Sequence, residues 1–216
     1  MEIYGAIFSP YCARVALAAR FKGIKLKFSP TPGGGYKSAE YLKLNPLGKV
    51  PVLKDGKFYV YESAVIVDYL EAKSKKKPVV PKGAKDAARA RMIGAVLGEY
   101  VHNATSKFFP LLGAKPDKAA VAAVVAEINK QLDVAEQVMV AGPYAAGAKF
   151  TIADIFAVPS LGFLLLFAPL FGMDKPLGAR KKLSRYMAKA KKDKVIAGVL
   201  ADMEESFNGW RKTRGV

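Results

Sequence analysis

The chain has 216 residues, enough for one large domain or two small ones, and 51% of them are hydrophobic, so a sizeable core is available and overall disorder is excluded. A single cysteine, Cys12, excludes an intramolecular disulfide framework and a cysteine-rich zinc site, and it fits a reducing compartment. The formal net charge of +17 admits anionic partners, but the basic residues are spread along the chain, crowding only at 73–77 and 180–194, with no zinc-finger spacing, ribonucleoprotein-type aromatic motif or heptad zipper, so no specific nucleic-acid partner is expected.

Residues 1–8, rich in Ile, Tyr and Phe, read as a strand. Pro10 stands where a helix can begin, and Val15, Leu17, Ala18 and Phe21 give residues 14–22 a buried helical face, which Gly23 ends. Residues 25–29 alternate as a second strand, and 30–36, with Gly33-Gly34-Gly35, form a flexible loop. A short helix over 38–44 leads into the turn Asn45-Pro46-Leu47-Gly48. Residues 50–54 and 57–61 are β-type runs on either side of Asp55-Gly56, a strong hairpin signal. Residues 62–73 form a helix with Ala64, Ile66, Val67 and Leu70 inward. The expectation is therefore an α/β domain over 1–74.

Residues 75–85, with Pro78, Pro81 and Gly83, read as a polar linker. Beyond it the strand signals vanish, and 86–216 is expected to be all-helical, with segments at 86–109, 117–139, 151–167 and 180–193 and a shorter one at 195–207. The most apolar stretch, 155–171, falls short of the roughly 20 residues that span a bilayer, and Pro159 and Pro169 interrupt it, so it reads as a buried core helix and no membrane span is expected. The start of the chain, with Glu2 and no basic run, does not read as a signal peptide.

Three places carry chemistry. Ser9-Pro10-Tyr11-Cys12-Ala13-Arg14-Val15 lies at the junction of the first strand and first helix, where free N–H groups and a partial positive charge stabilise an anion such as a thiolate. Its spacing resembles the Cys-Pro-Tyr-Cys of glutaredoxins, but a serine stands where those proteins carry the nucleophile. A serine hydroxyl can donate one hydrogen bond to a thiolate supplied by a substrate. Such a bond is worth about 1.5–3 kcal/mol, and lowering a thiol pKa by two units needs about 2.7 kcal/mol. Ser9 also suits a plain N-cap, and Cys12, one turn into an apolar helix, suits a small buried hydrophobe. In the second place, Asn45 to Leu53, Pro51 can form a cis bond after Val50 at the start of a strand, leaving the Val50 backbone to pair with an extended peptide; a simple turn reads equally. In the third, Tyr61-Glu62-Ser63, Ser63 and the first helical N–H groups can hold a carboxylate and Glu62 an ammonium group; capping is the plain alternative.

Together, in this order, these places resemble the cytosolic glutathione transferase superfamily over the whole chain, and Phe150-Thr151-Ile152-Ala153-Asp154 resembles that family's capping-box signature. The spacing around Ser9 is most similar to its serine-type classes, and Tyr36-Lys37 before Asn45 is similar to the plant phi class. The resemblance implies an N-terminal thioredoxin-like domain, an all-α C-terminal domain, glutathione as co-substrate, no metal, a cytoplasmic location and a homodimer. It also implies roles: Ser9 as the catalytic serine, Val50 beside cis-Pro51 pairing with the cysteinyl unit, Glu62 and Ser63 holding the γ-glutamyl end, and Lys37 and Lys49 reaching the glycyl carboxylate. Lys49 stands where many members have glutamine, and Tyr36 where phi-class members commonly have a basic residue. For a hydrophobic electrophile, Tyr11, Tyr100, His102, Phe108 and Phe109 are the candidates, with Phe163 and Phe167 behind them. Two other readings stand: a glutathione-dependent thiol oxidoreductase or peroxidase, and a non-enzymatic ligand carrier or scaffold of the same fold.

Overall fold

The computed structural model describes residues 1–112, 116–140, 142–178 and 180–215. Four short strands, β1 (Glu2–Tyr4), β2 (Lys27–Ser29), β3 (Val52–Asp55) and β4 (Phe58–Tyr61), form one sheet in the order β2-β1-β3-β4. β1 runs parallel to β2 and antiparallel to β3, and β3 and β4 make the hairpin signalled by Asp55-Gly56, with Val52 opposite Tyr61. β1 is shorter than the sequence implies because Gly5 ends it at φ 138°, a backbone conformation open to glycine. A Cβ there would also lie 2.6 Å from the Cys12 Sγ, so glycine lets the strand end pack against the next helix.

That helix, α1 (Pro10–Lys22), has Pro at its first position and Gly23 in the left-handed conformation at its end. Apart from its first and last turns it is buried nearly all round, between the sheet and the second domain. α2 (Ala39–Leu42) is one turn, capped by the Ser38 side chain, and α3 (Ser63–Lys73) packs back on α1 through Ile66, Val67 and Leu70.

Beyond α3 the elements among the described residues are all helices, joined by loops and turns, with one isolated bridge between Tyr144 and Gly147. The expected helix over 86–109 is broken in register: α4 (Ala84–Ala95) passes through a π-helical segment, Val96–Tyr100, before α5 (Val101–Ser106). A Cβ on Gly98, inside that segment, would meet the Phe156 side chain at 2.8 Å and Arg14 Nη2 at 3.2 Å; glycine allows the close approach. α6 (Lys118–Val138), α7 (Ile152–Phe167), α8 (Lys181–Ala190) and α9 (Lys194–Arg214) complete the domain. α9 is longer than expected, reaching past Phe207 to Trp210 and Arg214.

α7 is the core helix, packed against α1, α4 and α9. Its N-terminus carries the expected capping box of Thr151 and Asp154. Pro159 lies inside it without ending it, so residues Ile152–Phe171 form a 20-residue run, long and apolar enough by itself to cross a bilayer; its most apolar 18 residues have a mean hydropathy of 1.9, and 67% of those are buried inside the protein.

Candidate active site

At the start of α1, Ser9 occupies the N-cap position with extended backbone (φ −65°, ψ 123°), yet its side chain makes no capping hydrogen bond. The plain-cap explanation of this serine therefore lacks its bond. Cys12, one turn later, is fully buried, and burial pushes its thiol up to about 12 against a weaker opposing hydrogen bond from Ser9. At neutral pH it stays a thiol, which makes it a poor nucleophile.

The loop before β3 is held by buried groups. The Tyr41 hydroxyl and Asn45 Nδ2 both donate to the Lys49 carbonyl, at 2.8 and 2.7 Å, and Asn45 Oδ1 accepts from the Leu47 N–H at 3.1 Å. This fixes the backbone that enters Val50 and Pro51, whose peptide bond is cis. Val50 lies outside the strand ladder, two residues before β3. Glu62 turns the chain from β4 into α3 at φ 67°, ψ 112°, a strained conformation for a residue with a side chain. Ser63 is the first residue of α3, where backbone N–H groups lack helical partners.

Two cavities meet here. A polar one of about 320 Å³ is walled by Tyr11, Arg14, Asn45, Lys49, Val50, Pro51, Glu62, Ser63, Ala64 and Glu99. A larger, mainly apolar one of about 610 Å³ is walled by Phe8, Ser9, Pro10, Tyr11, Tyr36, Val50, His102, Phe109, Leu112, Phe163, Trp210 and Arg214. Tyr11 and Val50 belong to both, so the cavities adjoin at the end of α1 beside Ser9. Of the residues expected to meet glutathione, Ser9, Lys49, Val50, Pro51, Glu62 and Ser63 are therefore brought together, across the two cavities. Lys37 is not: it lines neither cavity, and its ammonium group lies over the Tyr36 ring, 5.8 Å from the centroid. Arg14 is the polar member that motif reading left without a role. It is 1% exposed, donates to Glu99 (2.6 Å), Ser63 Oγ (3.4 Å), Ser160 Oγ (3.5 Å) and the Gly98 carbonyl, and lies between the Tyr11 and Phe156 rings at 4.6 Å from each.

Tyr11, His102, Phe109 and Phe163 line the larger cavity as expected of an electrophile pocket. Tyr100 and Phe108 do not. Tyr100, in the π-helical segment, is 59% exposed, and Phe108 is fully buried and stacked on Phe171 at 4.1 Å. Helical spacing alone could not sort them, because the π segment shifts the facing of every later residue. Phe167 is buried behind the wall against Phe207 and Trp210. Trp210 and Arg214 were missed because the last helix was expected to stop near 207; the one tryptophan of the chain was the available signal. His102 stands edge-on to Tyr11 and Phe163, at 4.9 and 5.3 Å, and its Nδ1 is buried without a hydrogen-bond partner. Burial, then the nearby Arg14 charge, pulls its pKa down to about 4, so it is neutral at pH 7. Among the described residues no group of His, Cys, Asp and Glu side chains is placed to hold a metal ion.

Residues 3–78 match the family model for the glutathione S-transferase N-terminal domain and residues 64–192 that for the C-terminal domain. Glutathione S-transferase 3 of Zea mays is 34% identical over 164 residues, covering 71% of this chain and 73% of its own. Glutathione S-transferase F7 of Arabidopsis thaliana is 30% identical, covering 76% and 84%. Among solved structures, glutathione S-transferase I from maize in complex with an atrazine glutathione conjugate superposes with a TM-score of 0.75 at 27% identity, over 94% of this chain and 97% of that one.

Proposed function

The chain belongs to the glutathione S-transferase family, and from that premise we propose how its own residues conduct the reaction. It is a glutathione transferase, joining the thiolate of glutathione to an electrophile. Glutathione occupies the polar cavity. Lys49 attracts the glycyl carboxylate, which Lys37 reaches only on leaving the Tyr36 ring, and the Val50 backbone pairs with the cysteinyl unit. Glu62 holds the ammonium group of the γ-glutamyl end, and Ser63 with the first N–H groups of α3 holds its carboxylate. The thiol then points toward the start of α1, where Ser9 donates a hydrogen bond to its ionised form. The hydrophobic electrophile fills the 610 Å³ cavity.

One observation carries this reading: the Ser9 hydroxyl makes no capping bond and lines the apolar cavity where the polar one joins it. A donor aimed at a developing or resident charge is worth the most where water is excluded. Ser9→Ala should lower kcat/KM for conjugation about 10²-fold; turnover equal to wild type would sink the assignment. A thiol oxidoreductase reading through Cys12 has against it that the sulfur is buried and protonated.

A homodimer fits the exposed apolar residues Val65 on α3 and Met92 on α4, beside the Arg91–Asp68 ion pair that joins the two helices. A cytoplasmic location fits a lone cysteine kept as a thiol, and a detoxifying role fits the apolar cavity offered to electrophiles; imaging of a tagged chain that collected inside an organelle would contradict that location.

A further inference from the structure

The wall of the large cavity is almost uncharged. Among the described residues its polar members are Ser9, Tyr11, Tyr36 and His102, no carboxylate lines it, and one side chain, Arg214, carries a full charge. Arg214 is the last residue of α9. A cation at a helix C-terminus is favoured by the helix dipole, but Arg211 and Lys212 in the same turn already meet that need, and neither lines the cavity. Arg214 forms no ion pair among the described residues, whereas seven other pairs are made by basic residues elsewhere.

We propose that Arg214 makes this cavity select electrophiles that carry a negative charge on an otherwise apolar body. The inference rests on the transferase reading of the same site and names its substrate class. The scale of the site agrees with it. Phe8, directly before Ser9, lies 5.5 Å from the Trp210 ring, centroid to centroid, and Arg214 follows one turn later, about 6 Å along the helix. A reacting carbon at Ser9 and a carboxylate at Arg214 are thus separated by on the order of 10 Å, a span matched by a substituted aromatic ring with a short acidic arm. A carboxylate entering an apolar cavity without a partner would be strongly disfavoured; a guanidinium at the mouth removes that penalty while leaving the charge partly in water.

The test compares two aryl chlorides that differ only far from the reacting carbon: 4-chloro-3-nitrobenzoyl-glycine and its glycinamide counterpart. In each the glutathione sulfur forms a bond to the ring carbon bearing chlorine, the carbon–chlorine bond breaks, and chloride leaves with the electron pair. The kcat/KM of each is divided by its uncatalysed rate with glutathione. The wild type should favour the acid over the amide about tenfold, and Arg214→Gln should abolish most of that preference. Lys189→Gln, which removes the same charge from α8 away from the cavity, controls for the general field of a chain of net charge +17 and should leave the preference intact. Equal wild-type rates for the two compounds, a preference that survives Arg214→Gln, or an equal fall in both variants would each overturn the proposal. No turnover of either compound would instead overturn the transferase reading on which it stands.

Discussion

The Ser9 hydroxyl and the Cys12 thiol lie one helical turn apart and have opposite fates. Ser9 faces a cavity and its hydroxyl makes no capping bond to the backbone of its helix, its link to α1 being the Cys12 thiol, while Cys12 is sealed inside α1 against Gly5. His102 is sealed almost as fully, and its burial has a measurable consequence for stability. Its folded-state pKa of about 4 lies below the reference 6.5. A depressed value favours the neutral form, so the stabilisation is present above pH 6.5 and is lost as pH falls through 4, by about 3 kcal/mol in total. Asp154 acts in the opposite sense: burial raises its pKa to about 6, so its contribution is present below about pH 3.8 and is lost as pH rises through 6. Comparing wild type with His102→Phe isolates the histidine. Between pH 6.5 and 4 the wild type should lose about 3 kcal/mol of unfolding free energy that the variant keeps; parallel curves would show that His102 is not held neutral. The sequence offered His102 as one pocket candidate among several, but its unpaired Nδ1 and its T-shaped seat between Tyr11 and Phe163 were not readable, since those rings come from other helices.

Among the elements, those with local signals were the legible ones. Asp55-Gly56 marks its hairpin, Pro10 and Gly23 bound α1, and Thr151 with Asp154 caps α7, because each of these is decided within a few residues. The strands are shorter than their apolar runs, since pairing partners and not composition set where a ladder stops. The π-helical segment and the left-handed Glu62 left no mark in the sequence. Both exist where tertiary contacts override local preference: at Gly98, pressed against Phe156 and Arg14, and at the entry to α3, beside the proposed glutathione cavity. The Asp154 carboxylate shows how much one cap can hold. It accepts from the Thr151 N–H at 2.9 Å, the Ala145 N–H at 2.8 Å and the Tyr186 hydroxyl at 3.0 Å, all buried. Asp154→Ala strands three donors away from water and should lower the unfolding free energy by about 3 kcal/mol or more. A denaturant midpoint within experimental error of wild type would show that these donors find other partners.

For the molecule as a whole, Arg14 ties the two halves. From α1 it reaches Ser63 in its own half and Gly98, Glu99 and Ser160 in the other, while Phe21 stacks on Phe150 at 4.0 Å and the Ile152 N–H donates to the Val79 carbonyl. The two adjoining cavities lie along this seam, with the polar one walled by both halves. The change from a mixed α/β part to a helical part was legible in the loss of strand signals beyond the polar segment 75–85, but the seam was not, because an arginine in a helix reads as solvated until its partners are known. Outside the seam, the exposed Val65 and Met92 fit a self-complementary contact between two copies. In sedimentation the chain should run as a dimer, and Met92→Arg should shift it to monomer; a monomeric wild type at micromolar concentration would remove the homodimer.

The most direct test of the central claim is the pKa of the glutathione thiol bound to the Cys12→Ser protein, in which the ligand is the one thiol present, followed by the ultraviolet absorbance of the thiolate. A hydrogen bond from Ser9 and the field of the α1 N-terminus should together lower it by about two units, with most of the shift lost in Cys12→Ser, Ser9→Ala. A bound thiol that titrates at its free value would contradict the account, leaving a protein that holds glutathione without activating it.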